Sequence, residues 1–149
     1  MEILFRGKQT DGYYKWVEGY YVKLIDIESK TPDQHRIYFS ASETELDGAS
    51  RIFYPNYAII DSATLGQYTG LIDTNGKKIF EGDILEYHTE NGRAHKGFVF
   101  FKDGLATFAC QTLNKSLYIP LLFCRYPLTI IGNIYDNPER QNLKRRKKK

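Results

Sequence analysis

Leu71-Ile72-Asp73-Thr74-Asn75-Gly76-Lys77-Lys78-Ile79-Phe80-Glu81-Gly82-Asp83-Ile84-Leu85-Glu86-Tyr87-His88-Thr89 sets the class of this chain. Short apolar runs are cut every few residues by turn formers. Asn75-Gly76 predicts a type I′ hairpin turn, because both central residues of that turn need positive φ. Glu81-Gly82-Asp83 predicts a second turn. Ile84 to Thr89 then alternates, with Leu85, Tyr87 and Thr89 on one side and Ile84, Glu86 and His88 on the other. Asn91-Gly92 predicts another hairpin, returning through Ala94 to Phe101. Lys102-Asp103-Gly104 turns into Leu105 to Cys110, and Leu128 to Tyr135 reads as a last strand. Such short strands and tight turns point to a small antiparallel barrel over residues 71–136, with Ile84, Val99 and Ile131 in its core, since closure removes long exposed edges.

The first 70 residues read as a mixed, β-rich region. Ile3 to Arg6 is a strand candidate, and Gln9-Thr10-Asp11-Gly12 is a turn. Tyr14 to Asp26 is a strand candidate broken at Gly19, which predicts a bulge or a split. Ser29 to Gln34 is a loop, and Arg36 to Ser40 an apolar-aromatic strand. Ser42 to Ser50 is polar and reads as a helical turn or loop. Tyr57 to Ile60 reads as a fully buried strand. Asp61 to Leu65 reads as a capped turn or short helix. No segment holds a 3.6-residue apolar period over 12 or more residues, so a large helical bundle is not expected. In residues 137–149, Asn137-Pro138-Glu139 is a helix start with Pro at the first position. The final six residues form a basic tail expected to lack order.

Composition agrees. The 149 residues are 42% apolar and 26% charged, and 12 Tyr with 9 Phe favour β structure. No run spans a bilayer, and the first residues lack a secretory pattern, so no membrane association is expected. The net charge of +3 hides an asymmetry. Lys144, Arg145, Arg146, Lys147, Lys148 and Lys149 supply six of the 21 basic groups, and without them 15 basic face 18 acidic groups, a net −3.

Three blocks resemble the YopX family of phage and prophage proteins: Glu2 to Gly7 with Trp16 to Tyr20, Gly66 to Leu71 with Asp73 and Asn75 to Ile84, and Ile131 to Glu139. The family's Pro-Glu-Thr-Val before Gly-Gln is here Ser62-Ala63-Thr64-Leu65, and Arg140 stands where members often have Leu. The resemblance implies a mixed α+β N-terminal region, a C-terminal SH3-like barrel, phage or prophage origin and the cytoplasm of a bacterial host. It implies no catalytic residue.

Nothing in the residues assembles a chemical site. Gly70 and Gly76-Lys77-Lys78 have the wrong spacing for a phosphate loop, with Lys78 where Ser or Thr would ligate Mg²⁺. Asp73 and Asp83 fit turns in which carboxylates bond neighbouring N–H groups. Glu81 and Glu86 complete that acidic cluster without a histidine at ligand spacing. His35, His88 and His95 are scattered. His88 and His95 flank the Asn91-Gly92 turn as an exposed rung without a third metal ligand. Cys110 and Cys124 read as reduced, partly buried thiols. Asn114-Lys115-Ser116 matches a glycosylation acceptor by chance. No cofactor, metal or catalytic group is expected.

The aromatic stretches offer more. Tyr13-Tyr14, Trp16, Tyr20-Tyr21, Phe98 and Phe100-Phe101 either fill cores or form a stacking platform or peptide groove. Tyr13, Tyr14 and Tyr20 are the candidates for exposure. The leading expectation is a non-enzymatic module binding a protein or itself. The alternative is a nucleic-acid-binding accessory protein, using Lys144 to Lys149 for weak, non-specific phosphate contacts together with exposed aromatics.

Overall fold

The computed structural model describes residues 2–11, 15–28, 30–45, 48, 51–113 and 117–139. Two compact units result, Met1–Gln67 and Tyr68–Lys149. Both are built of antiparallel strands. Among the described residues neither contains an α-helix, so the expected α component of the N-terminal region is absent.

The first unit comprises β1 (Phe5–Gln9), β2 (Trp16–Leu24), β3 (Gln34–Glu45) and most of β4 (Arg51–Ile72). β1 pairs with β2, β2 with β3, β3 with β4, and β4 with β1, so the pairings close a ring. Gly19 makes this possible. β2 pairs with β1 up to Gly19 and with β3 from Tyr20 onward, the split that the isolated glycine predicts. A Cβ at Gly19 would lie 2.2 Å from the Tyr38 carbonyl oxygen and 3.0 Å from Ile37 Cγ2. Gly19→Ala should therefore cost about 3 kcal/mol by forcing the strands apart. Thermal unfolding checks this, and an unchanged midpoint would contradict so close a passage.

Two local expectations change here. Ser42 to Glu45 continues β3, because register runs on to Glu45↔Arg51 through backbone pairing, which polar side chains do not prevent. Asp61 to Leu65 lies inside β4 as a bulge opposite β1, where the register jumps between Arg6↔Gly66 and Lys8↔Asp61. The capping chemistry survives in the bulge: Asp61 accepts from the Ala63 N–H at 3.0 Å, and Thr64 Oγ1 accepts from the Lys8 N–H at 2.8 Å. Tyr57 to Ile60 is not wholly buried. Ala58 and Ile60 face inward with Ile37, while Tyr57 and Ile59 face out.

The second unit pairs the end of β4 with β5 (Lys78–Phe80). Its main sheet contains β6 (Asp83–His88), β7 (Ala94–Lys102), β8 (Thr107–Thr112), β9 (Tyr118–Pro120) and β10 (Arg125–Asn133), in the order β10-β6-β7-β8-β9. A 3-10 turn, Leu121–Phe123, joins the last two strands. Ile79, Leu85, Tyr87, Val99, Cys110, Leu121, Cys124 and Leu128 form one buried cluster. Ile84 and Val99 are 0% and 1% exposed, and Ile131 is half-buried.

Neither Asn-Gly turn is type I′. Gly76 and Gly92 take φ of +79° and +75°, but Asn75 and Asn91 do not share it, since Ala106 is the one non-glycine with positive φ among the described residues. The Gly76 N–H donates to the Asp73 carbonyl at 3.0 Å, and the Gly92 N–H to the Thr89 carbonyl at 2.9 Å. Each is a type I turn followed by a left-handed glycine. Carboxylates explain the first: Asp73 Oδ1 accepts from the Asn75 and Lys77 N–H groups, both at 2.9 Å.

Candidate docking face

On the hairpin β2–β3 and the strand β4 beside it, side chains alternate between two faces. Tyr21, Ile37, Ala58 and Ile60 face the interior. Tyr20, Tyr38 and Tyr57 stand in register on the outer face, one from each strand. Tyr38 and Tyr57 rings are 5.3 Å apart and tilted, and Tyr20 is 64% exposed. The next rung is Val22, Arg36 and Ile59. The Arg36 guanidinium lies 4.1 Å over the Tyr57 ring, donates to Tyr38 Oη at 3.2 Å and donates through Nε to Gln34 Oε1. A stacked, doubly bonded guanidinium is held in one orientation.

The hairpin tip also exposes apolar side chains. Leu24 and Ile25 are exposed, and Ile27 is 96% exposed. Asp26 organises this loop by accepting from the Glu28 N–H at 2.9 Å and from the Thr31 N–H and hydroxyl, both at 3.0 Å. The Glu28 N–H first, and then the Thr31 hydroxyl, hold its carboxyl below the ordinary carboxylate range. Lys23 pairs with Asp33 at 2.8 Å, and that hydrogen bond raises the lysine's pKa.

Elsewhere the first unit has a cleft of about 440 Å³ lined by Lys8, Gln9, Thr10, His35, Ile60, Asp61 and Ser62. His35 Nδ1 is 2.7 Å from Tyr21 Oη. Trp16 is half-buried under Arg6 and Lys8, whose charged groups lie 4.6 and 5.6 Å from its ring centre.

The second unit turns its chemistry-bearing residues to structural use. Asp73 and Asp83 are buried, at 3% and 1% exposure. Asp73 Oδ2 accepts from the Ile130 N–H at 3.2 Å, and Asp83 Oδ2 from the Phe80 N–H at 2.8 Å. Burial raises the Asp73 pKa, but its backbone donors and the Lys77 charge outweigh burial and bring it below the usual value. His88 and His95 are not a rung: His95 pairs with Tyr87 and His88 with Ala94, so the two imidazoles sit on opposite faces. Among the described residues no three His, Cys, Asp or Glu side chains gather to hold a metal. Phe98 and Phe100 are half-buried, and Phe101 is exposed against Phe108. Tyr13, Tyr14, Asn114 to Ser116 and Lys144 to Lys149 lie outside the described residues.

Cys110 and Cys124 are free and buried in the main cluster. Burial pushes the Cys124 thiol up to about 11 and Cys110 higher still, with a further push from Cys124. At pH 8 neither should react with a disulfide reagent until the protein is unfolded in urea, because the thiolate is the nucleophile. Rapid labelling of the native chain would contradict the packing.

The YopX protein family profile matches residues 5–142. The chain belongs to the YopX family. A similar solved structure is the crystal structure of protein EF1440 from Enterococcus faecalis, with 26% identity, 93% of this chain and 97% of that chain covered, and a TM-score of 0.54. No curated protein matches the sequence. Among the described residues, no helix of this YopX-family chain is long and apolar enough to cross a membrane.

The blocks that resemble the family meet in space within each unit. Phe5, Arg6 and Gly7 pair with Gly19, Glu18 and Val17, and Phe5 and Arg6 also pair with Gln67 and Gly66. In the second unit, Asp83 and Ile84 pair with Asn133 and Gly132. The Ile134 N–H donates to the Gly82 carbonyl at 2.9 Å, and a Cβ at Gly82 would meet the Tyr135 ring at 2.8 Å. Asn133 Oδ1 accepts from the Tyr135 and Asp136 N–H groups, and Asn137 Oδ1 accepts from the Asn133 N–H. In this YopX-family chain those residues build turns and strand pairings. Tyr20 and Tyr57 are exposed and Tyr38 is half-buried on their shared rung, and the register that assembles it is not visible in any one sequence segment.

Proposed function

We propose that this YopX-family chain is a non-enzymatic protein-interaction module of phage or prophage origin, working in the cytoplasm of a bacterial host. The observation that carries the reading is the outer face of β2, β3 and β4, where the rung of Tyr20, Tyr38 and Tyr57 adjoins a fixed Arg36 on a hairpin that also exposes Val22, Leu24, Ile25 and Ile27. Tyrosine and arginine amid apolar side chains are the composition of protein-binding hot spots. A contiguous exposed apolar surface on a folded chain is a mark of partner binding. We read the second unit as the SH3-like barrel implied by the resemblance: β6 to β9 form a meander, and β10 returns to β6 around a single core.

The nucleic-acid reading is weaker on this face. Single-strand binders combine stacking aromatics with cations that follow the phosphates. Here one cation, Arg36, serves the whole rung, while the Arg6 and Lys8 side chains lie over the Trp16 ring instead.

A photoreactive amino acid at position 20, in the full-length chain inside cells that make it, tests the reading. It should trap a discrete protein adduct that Tyr57→Ser abolishes, while a probe at Glu90 in the second unit traps none. Trapping of nucleic acid at position 20, or of nothing, would overturn it.

A further inference from the structure

Resting on that reading, we propose that the segment docking on the tyrosine face is acidic, an apolar or aromatic stretch of a partner protein carrying one carboxylate that Arg36 receives. Arg36 uses Nε on Gln34 and one further N–H on Tyr38, and its remaining N–H groups have no partner among the described residues. Its rung and tyrosine neighbours Tyr20, Val22, Tyr38, Tyr57 and Ile59 are uncharged, and among the described residues no carboxylate lies within ion-pair distance of the guanidinium. A partner covering these side chains strips water from Arg36. A cation desolvated without a counter-charge is strongly unfavourable, so a fitting partner supplies one.

The fork geometry of arginine suits the planar, bidentate carboxylate. Stacking on Tyr57 fixes that fork before binding, which lowers the ordering cost of each bond formed. A nucleic acid would bring a phosphate with every nucleotide, and a single fixed cation matches a single acidic side chain better. The flanking tyrosines and Ile59 then favour aromatic or aliphatic residues on either side of it.

A random dodecapeptide library selected on the full-length chain tests this, with Arg36→Gln protein selected in parallel. The Arg36→Gln protein also controls for acidic peptides captured by the basic tail. The proposal expects wild-type selections to enrich Asp or Glu beside aromatic or aliphatic residues, and that enrichment to be lost on Arg36→Gln. The best peptide, resynthesised with its acidic residue changed to the amide, should bind the wild-type chain at least about tenfold more weakly and the variant no differently. Equal acid enrichment on both proteins, or no change on amidation, would overturn the proposal. So would oligothymidylate displacing the peptide and binding more tightly. If position 20 still traps a protein while the amide peptide binds equally, the acidic requirement falls and the interaction reading stands. If position 20 traps nothing, both fall.

Discussion

Asp73→Ala should destabilise the chain by about 4 kcal/mol in urea unfolding. The carboxylate is 3% exposed and accepts from the Asn75, Lys77 and Ile130 N–H groups. Each donor left without an acceptor in a part-buried site costs about 1–3 kcal/mol. Asp73→Asn keeps one acceptor oxygen and should lose less. Acidity supplies a second signature. The native pKa of Asp73 lies below its ordinary 3.8, so its contribution is complete above that value. It fades as the pH falls from about 4 through the lowered native pKa, as the unfolded chain takes up the proton first. The stability gap between wild type and Asp73→Asn should therefore narrow below about pH 4. A constant gap down to pH 2 would show that the carboxylate is not held by these donors.

That aspartate marks how far local reasoning reaches. Its partners at Asn75 and Lys77 are two and four residues away, so its role as a turn acceptor is legible from sequence. The bond to Ile130 spans 57 residues and is not. The same limit explains the turn type. Asn-Gly alone favours type I′, but a carboxylate two residues earlier satisfies the N–H groups of a type I turn and leaves only Gly76 with positive φ. The split of β2 is legible because Gly19 interrupts a strand pattern. The ring closure is not, because β1 reaches β4 51 to 62 positions away. The docking face is half legible: Tyr20 stands out by residue type, whereas Arg36 meets Tyr57 only through the β3–β4 register.

Leu85→Ala and Ile84→Ala should each cost about 3 kcal/mol, within the range for deleting a buried aliphatic side chain. Both residues are 0% exposed, although they are adjacent on β6 and point to opposite faces. Leu85 belongs to the cluster with Tyr87, Val99 and Leu128, and Ile84 is buried outside it. A strand covered on one side only would lose stability through one of these variants and tolerate the other. Equilibrium denaturation of the two single variants discriminates these cases. A cost below about 1 kcal/mol for either would contradict burial of both faces of β6.

These costs fall on the residues through which the chain resembles its family, or directly beside them. Asp83, Ile84, Gly132 and Asn133 hold strand pairings and turns, and Gly19 lets β2 change partners. Tyr20, Arg36 and Tyr57 lie on the outer face of the first unit's strands, where Arg36 and Tyr57 contact each other. Exposed cation–aromatic contacts contribute little, about 0.5–1 kcal/mol, so Arg36→Gln should leave the fold intact.

Amide hydrogen exchange on the chain cross-linked to its partner through position 20, compared with the free chain, tests the division between scaffold and docking face most directly. New protection is expected over residues 20–24, 34–39 and 56–60, with exchange unchanged over 66–84 and 131–139. Protection concentrated in those last two segments, with the tyrosine face unaltered, would contradict it.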